Sequence, residues 1–350
     1  MKNIKNITIH VTLNGKGGVN WEGSNGNKAA FVQALKDAGM EANNVSGRET
    51  KNVKWHKANY YNRDGKLVRI PKISADCLRH QMAGTKNSTI TIVDSVWAAY
   101  LASNEALVRG FFFPIEGDIS TVRKSPTTYT DAEETSGAIS MLENKSASGV
   151  RNDTSYYQQE TFGATVWEFD ININLSELQF ISASDIYSRR AVPRKLENIV
   201  LKNLRDRFGD VKDGYYALKR ASVETPEYGF MLPNSAVRSL VSWLVGTLKE
   251  IYIGQATSYA KFASMKIHAL DSDNNVVDDF DINSDYEVCS QYVEGDKALY
   301  ETAKKEVDRQ LAESNKAAKD AKKKAEREAK KAKQEAEQKS KEAEEATAAE

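Results

Sequence analysis

Arg79 and His80 stand side by side in LVRIPKISADCLRHQM, residues 67–82. Guanidinium and imidazole groups offer donors to an anion and, near a helix rim, can hold one without a metal. Just before them, residues 51–69 (KNVKWHKANYYNRDGKLVR) carry Lys54, Trp55, His56, Lys57, Tyr60, Tyr61, Arg63 and Lys66. Cations that neutralise phosphates, interleaved with aromatic faces on which bases stack, are what single-stranded nucleic acid binding requires. Further on, TVRKSPTTYT, residues 121–130, adds Arg123 and Lys124 in a polar loop turned at Ser125-Pro126. A plainer reading stands beside this one. Arg79 would pair with a carboxylate, His80 would be a satisfied histidine at the core edge, and the aromatics of residues 51–69 would pack on the body.

The elements that position these groups follow from pattern. Leu67, Val68 and Ile70 form strand, Pro71 ends it, and Ser74 caps a helix with Asp76 in its first turn. Cys77, Leu78 and Met82 then face inward, which leaves Arg79 and His80 at the rim. Asp64-Gly65 is a hairpin signal between two strand-like arms. Residues 4–13 (IKNITIHVTL) alternate as a half-buried strand. NGKGGVN, residues 14–20, lacks the GK[ST] ending of a P-loop; it is either a turn or a loop whose backbone closely approaches a phosphate or a neighbouring subunit.

Asn27 to Gly39 reads as a short helix, and residues 88–104 as a helical or mixed apolar stretch. Leu107 to Ile115 reads as a buried strand ended by Pro114. Residues 131–159 are polar and turn-rich, of the kind that is functional or disordered. Ala164 to Leu175 alternates as a strand, followed by a second apolar run over 178–182. Asn198 to Phe208 is a helix, Asp213-Gly214 a turn, and Tyr215 to Leu218 with Gly229 to Leu232 are hairpin arms. Ser235 to Ile251 is an amphipathic helix with Val237, Leu240, Val241, Leu244, Val245, Leu248 and Ile251 on its apolar face. Phe262 to Leu270 is the last strand. Helices interleaved with alternating strands and long insertions indicate an α+β, ferredoxin-like (βαββαβ) core.

Charge excludes little globally and much locally. The chain has 350 residues with 49 basic and 49 acidic side chains, so any anion site must come from clustering. Besides those above, Arg189, Arg190, Arg194 and Lys195 form such a cluster, while acidic residues gather at 131–134 and 271–285. The two cysteines, Cys77 and Cys289, have neither disulfide nor zinc spacing and read as buried thiols. His10, His56, His80 and His268 show no ligand spacing, so no metal or cofactor is expected. No apolar core for a signal peptide begins the chain, and nowhere do 18 apolar residues run together; a cytoplasmic protein with no membrane partner is expected. Residues 297–350 are rich in Ala, Lys and Glu without an apolar seam, a solvated helix or disordered tail appended to a domain over 1–296.

In their order and spacing several segments resemble one family. They are GKGGVNWEG at the first loop, PKISADCLRHQM, VRGFFFP followed by RKSP, RNDTSYYQQETFG, ININ leading to ELQFIS, and NSAVRSLVSWLVGTL. The chain is similar over residues 7–270 to the backbone subunit of class 1 CRISPR effector complexes, the seventh CRISPR-associated family, nearest its type I-F branch and variants, with type IV second.

The resemblance implies an RRM-like palm with finger and thumb insertions at about 14–70 and 114–162. It implies copies stacked head to tail along a crRNA beside other effector subunits, with target DNA recognised through the guide. It makes Arg79, His80, Arg123, Lys124, Ser125, Arg151 and Phe162 guide contacts. Residues 51–69, with Lys54, His56, Lys57, Arg63 and Lys66, compete with 215–232 for the thumb. Related type III subunits cut RNA with a loop aspartate and a metal, which makes Asp94, Asp118 and Asp153 the candidates for the rival reading. No paired carboxylates accompany them, and a non-catalytic subunit is expected.

Overall fold

The computed structural model describes residues 2–20, 57–83, 93–113, 120–137, 141–146, 156–161, 163–184, 186, 190–220, 225–255, 258–310, 312, 313 and 316. Its first strand, β1 (Lys2–Lys16), buries Ile7, Ile9, Val11 and Leu13 and turns Thr8, His10 and Thr12 to the other side. Ile4 is also buried, out of phase with that series, because a bulge shifts the register between Ile4 and Asn6.

β2 (Ala58–Arg63) and β3 (Lys66–Ile73) form the expected hairpin, with Arg63 opposite Lys66. Its turn has Asp64 at φ 52° and Gly65 at φ 74°, the doubly positive geometry that Asp-Gly suits. Three helices follow: α1 (Ala75–Ala83), α2 (Asp94–Leu101) and α3 (Asn104–Arg109). Short strands come next, β4 (Phe111–Phe113), β5 (Thr121–Arg123), β6 (Thr127–Tyr129) and β7 (Ala132–Glu134), then the hairpin of β8 (Met141–Ser146) with β9 (Tyr156–Thr161).

β10 (Ala164–Asn174) alternates cleanly, with Trp167, Phe169, Ile171 and Ile173 inside. After it come α4 (Leu175–Gln179), β11 (Phe180–Ser182), α5 (Glu197–Phe208), β12 (Lys212–Leu218) and β13 (Glu227–Met231). α6 (Asn234–Lys249) buries Val237, Leu240, Val241, Leu244, Val245 and Leu248. Each such side chain contributes about 1.5–3 kcal/mol of burial free energy, so the amphipathic stripe holds this helix to the sheet. β14 (Tyr252–Gln255), β15 (Ser258–Asp271), β16 (Val276–Val277), β17 (Tyr286–Val288) and β18 (Tyr292–Glu294) complete the strands, and residues 297–310 are helical.

The fold is mixed α+β. The main sheet runs β14-β15-β1-β10-β7-β3-β2, with β6 also on β10, β16 on β15 and β17 on β1. Only the β1–β17 pair is parallel among its described pairings. A second sheet runs β11-β13-β12-β18. The core lies on one side of the main sheet, beneath α2, α5 and α6.

Several expectations need correction. Strand β3 continues through Pro71, which pairs with Ala58. The Lys72 amide donates to the Lys57 carbonyl (2.7 Å), so the Pro71 nitrogen points the opposite way, where β7 pairs only from Lys72 onward. Leu107 to Arg109 close α3 instead of opening a strand, because the Ser103 hydroxyl accepts from the Ala106 amide (3.2 Å) and starts a helix. Residues 121–130 are two strands around Lys124–Pro126, not one loop. Residues 131–159 supply β7, β8 and part of β9. Residues 178 and 179 close α4, and only 180–182 are strand.

Asp213-Gly214 lies inside β12, with Gly214 opposite Gly229. Gly229 is needed there, since a Cβ would stand 2.4 Å from the Ile181 carbonyl oxygen. β15 starts at Ser258 and is followed by three more strands. Both cysteines are half-buried, not buried. The helix expected over 27–39 lies outside the described residues.

Candidate nucleic-acid interface

Gly110 organises the site. It ends α3 with φ 72° and ψ 174°, a conformation open essentially to glycine alone. A Cβ there would stand 2.5 Å from the Arg123 carbonyl oxygen, 2.7 Å from the Ser125 amide nitrogen and 2.8 Å from the Ser125 Cα. The Lys124–Pro126 loop therefore rests directly on the turn after Arg109. From the other side, Arg79 of α1 donates from Nη2 to the Arg109 carbonyl (3.0 Å). Two segments more than forty residues apart in sequence thus meet at the Arg109–Gly110 corner.

Around this corner the cations differ. Arg79 is half-buried, and its Nε has no hydrogen-bond partner among the described residues. That atom is sealed from solvent, so the unmade bond is an internal cost and not a point that an external anion reaches. His80, next along α1, is exposed. Lys124 is exposed and reaches Glu177 Oε1 at 3.0 Å, a surface pair of small worth. Ser125 is engaged locally: its hydroxyl donates to the Thr127 carbonyl (2.6 Å) and accepts from the Thr127 amide (3.3 Å). Tyr129, on β6, has its hydroxyl pushed up in pKa by burial and lies within electrostatic reach of Arg79 and Arg109.

Arg123 is not a surface cation. Only 6% exposed, it donates from Nε to the Leu107 carbonyl (3.1 Å) and from Nη1 to the Phe180 carbonyl (2.9 Å). Its Nη2 donates to the Glu177 and Leu178 carbonyls, both at 3.3 Å. Burial lowers its pKa to about 10. The guanidinium ties α3, α4 and β11 together and fixes the loop that displays Lys124. The sequence hides this, because β5 buries Thr121 and Arg123 and leaves Val122 half-exposed, the reverse of the polarity rule.

The β2–β3 hairpin leads straight into α1 and carries exposed Tyr60, Tyr61, Arg63 and Lys66 near its tip. Arg63 lies 5.6 Å over the Tyr61 ring, whose hydroxyl donates to Glu133. Glu133 also accepts from Asn59 Nδ2 at 2.8 Å. Lys57 is half-buried at the base, its amide bonded to the Asn20 carbonyl (2.9 Å). At the start of α1, Asp131 accepts from the Ala75 amide (2.8 Å) and pairs with Lys72 (2.8 Å). Burial opposes ionisation of Asp131, but those two hydrogen bonds outweigh it and hold its carboxyl below the ordinary carboxylate range.

Lys54, His56, Arg151 and Phe162 lie outside the described residues, as do Asp118 and Asp153. The glycines of NGKGGVN approach a neighbouring strand of their own sheet. β1 runs on through Lys16, and a Cβ on Gly15 would stand 2.2 Å from the Tyr259 carbonyl oxygen. Of the 189–195 cluster, Arg190 is buried, Arg194 reaches Asp308 at 3.5 Å, and Lys195 pairs with Asp94 at 2.8 Å. Arg109 and Gly110 are the positions that motif reading missed; the one available signal was the glycine between a helical end and the FFF strand. Among the described residues, no group of three or more His, Cys, Asp or Glu could hold a metal ion, and no helix is long and apolar enough to cross a membrane.

Sequence comparison assigns this mixed α+β chain to the CRISPR-associated, backbone-type class of subunit. The family model described as "Type I-Fv CRISPR-associated protein Cas7fv-like" matches residues 3–304, and the chain belongs to that family. Comparison with curated proteins gives no match. Among solved structures the chain is similar to a "CRISPR RNA-guided surveillance complex" chain, with 10% identity and a TM-score of 0.33, covering 75% of this chain and 68% of that one. It is also similar to a "Type IV-B CRISPR Complex" chain, with 10% identity and a TM-score of 0.26, covering 66% of this chain and 91% of that one. The family match agrees with the type I-F variant resemblance; the structural overlaps are too low to carry argument.

Proposed function

We propose that this chain is the crRNA-binding backbone subunit of a type I-F-like effector complex, polymerising head to tail along the guide and presenting it for pairing with target DNA. The observation that carries the reading is the Arg109–Gly110 corner. Arg79 and the Lys124–Ser125 loop both meet that corner and His80 is exposed next along α1, which would suit the phosphates of a backbone gripped without sequence reading. Arg123 serves this site by positioning the loop; Lys57, Arg63 and Lys66 extend it along the hairpin. Lys54, His56, Arg151 and Phe162 remain proposed contacts.

The strand order supports an RRM-like palm. β1 and β10 are central, β15 flanks β1, and β6 and β7 flank β10, with helices preceding β6 and β15. A βαββαβ unit would order its strands in this way. The β2–β3 hairpin suits the thumb better than 215–232, because its tip is exposed, whereas β12 lies between β13 and β18. No catalytic role is proposed: Asp94, the described one of the three candidate aspartates, is paired with Lys195.

Co-expression with a repeat-containing guide and the partner subunits tests the proposal. The expected product is a large discrete assembly carrying protected RNA. A monomer free of nucleic acid under those conditions would count against it.

A further inference from the structure

At the far edge of the main sheet from the β2–β3 hairpin, the open face carries a second aromatic and basic cluster. Tyr252 of β14 is 61% exposed, and its ring lies nearly parallel to that of Tyr259 on β15, at 11° with centroids 6.3 Å apart. The two are diagonal neighbours, since Tyr252 pairs with Lys261 and Gly254 with Tyr259. Gly254 makes room for this: a Cβ on it would stand 2.9 Å from Tyr252 Cε1. Lys16 lies opposite Tyr259 and Asn14 opposite Lys261, so all these side chains share one face.

Lys16, Asn14 and Lys261 are exposed, and no ion pair holds either ammonium among the described residues. Neither lysine has a carboxylate beside it in the ladders; the neighbours are Ala164, Tyr259, Asn14 and Tyr252. On β10, Glu168 and Asp170 share this face farther along, opposite Thr12 and His10, with Glu133 of β7 opposite Glu168, and Asp170 is bonded to His10 at 2.8 Å.

We infer that Tyr252 and Tyr259, with Lys16 and Lys261, form a stacking platform for an unpaired nucleotide of a single strand, separate from the Arg109–Gly110 corner. An exposed aromatic face accepts any base, and the flanking ammonium groups match the charge of the adjoining phosphates. The inference rests on the nucleic-acid reading of the protein but not on the residues that carry it.

The test is fluorescence-anisotropy titration of the full chain with labelled oligouridylate and oligothymidylate over a range of salt. Tyr252→Ala should weaken binding roughly 5- to 150-fold at every salt concentration, as the loss of one base stack does. Its salt slope should match wild type, and Tyr252→Phe should bind as wild type does. Gly254→Ala, which displaces the ring while keeping both tyrosines, should reproduce the loss. Lys16→Gln and Lys261→Gln should each flatten the slope by about 0.7. Equal loss on the two probes identifies a platform for either kind of strand, and loss on one alone identifies its sugar.

Wild-type binding by both Tyr252→Ala and Gly254→Ala, while Arg79→Ala with Lys124→Ala weakens it, overturns the platform and leaves the proposed function standing. A wild-type chain that binds neither probe overturns the platform, while the co-expression test still decides the proposed function. Altered association between copies of Tyr252→Ala without nucleic acid, with oligonucleotide binding intact, makes this edge a protein interface and overturns the platform.

Discussion

Replacing Arg123 separates a positioning residue from a contact residue. In Arg123→Met the stem's packing is kept and the fork is lost, which leaves the Leu107 and Phe180 carbonyls without the donors that reach them at 3.1 and 2.9 Å. A buried carbonyl left without its partner costs about 1–3 kcal/mol, so these two together cost about 2–6. Removing a charge whose pKa burial has lowered to about 10 recovers about 3 kcal/mol at neutral pH. The net expectation runs from about 1 kcal/mol of stabilisation to about 3 kcal/mol of destabilisation, read as the shift of the urea midpoint at an unchanged slope. Because the folded pKa lies below the unfolded one, wild type should improve relative to the variant as pH rises above about 10. Should Arg123→Met unfold as wild type does yet lose guide binding as fully as Arg79→Ala, Arg123 contacts RNA itself and the positioning argument fails.

Three further outcomes follow from named contacts. Gly110→Ala should cost more than about 1–3 kcal/mol, since strain adds to a backbone clash with Ser125, and chemical denaturation would measure it. The stability that wild type holds over Asp131→Asn should be present above pH 4 and fade as pH falls through the depressed carboxyl pKa; acid titration of both proteins checks the sign. Deleting residues 319–350 should leave melting and guide binding unchanged, whereas Tyr300→Ala should cost about 3–5 kcal/mol. Tyr300 is 3% exposed, with its ring 5.0 Å from that of Tyr215, so equal effects in calorimetry would contradict this division between Tyr300 and residues 319–350.

What could be read from the sequence was whatever repeats over a long enough window. β1, β10 and α6 each present four or more repeats of alternation or helical spacing, and the Asp-Gly hairpin carries its own turn chemistry. The three-residue strands β4 to β7 are shorter than any periodicity, so their region looked like loops. The site was half legible. Arg79 and His80 follow from helix phase, but Arg123 defies polarity because its partners are carbonyls brought in from residues 107 and 177–180, which no local pattern reveals. Likewise the Gly15 contact depends on a strand more than two hundred residues away.

Guide-RNA affinity against salt, for wild type and for Arg79→Ala with Lys124→Ala, tests the central claim most directly. Two lost phosphate contacts per protomer should flatten the slope by about 1.4, at about 0.7 per contact on a single strand, and assembly should fail along the guide because every copy is affected. A double variant with wild-type slope and intact assembly, alongside a 319–350 deletion that abolishes binding, would move the RNA site from the Arg109–Gly110 corner to residues 319–350.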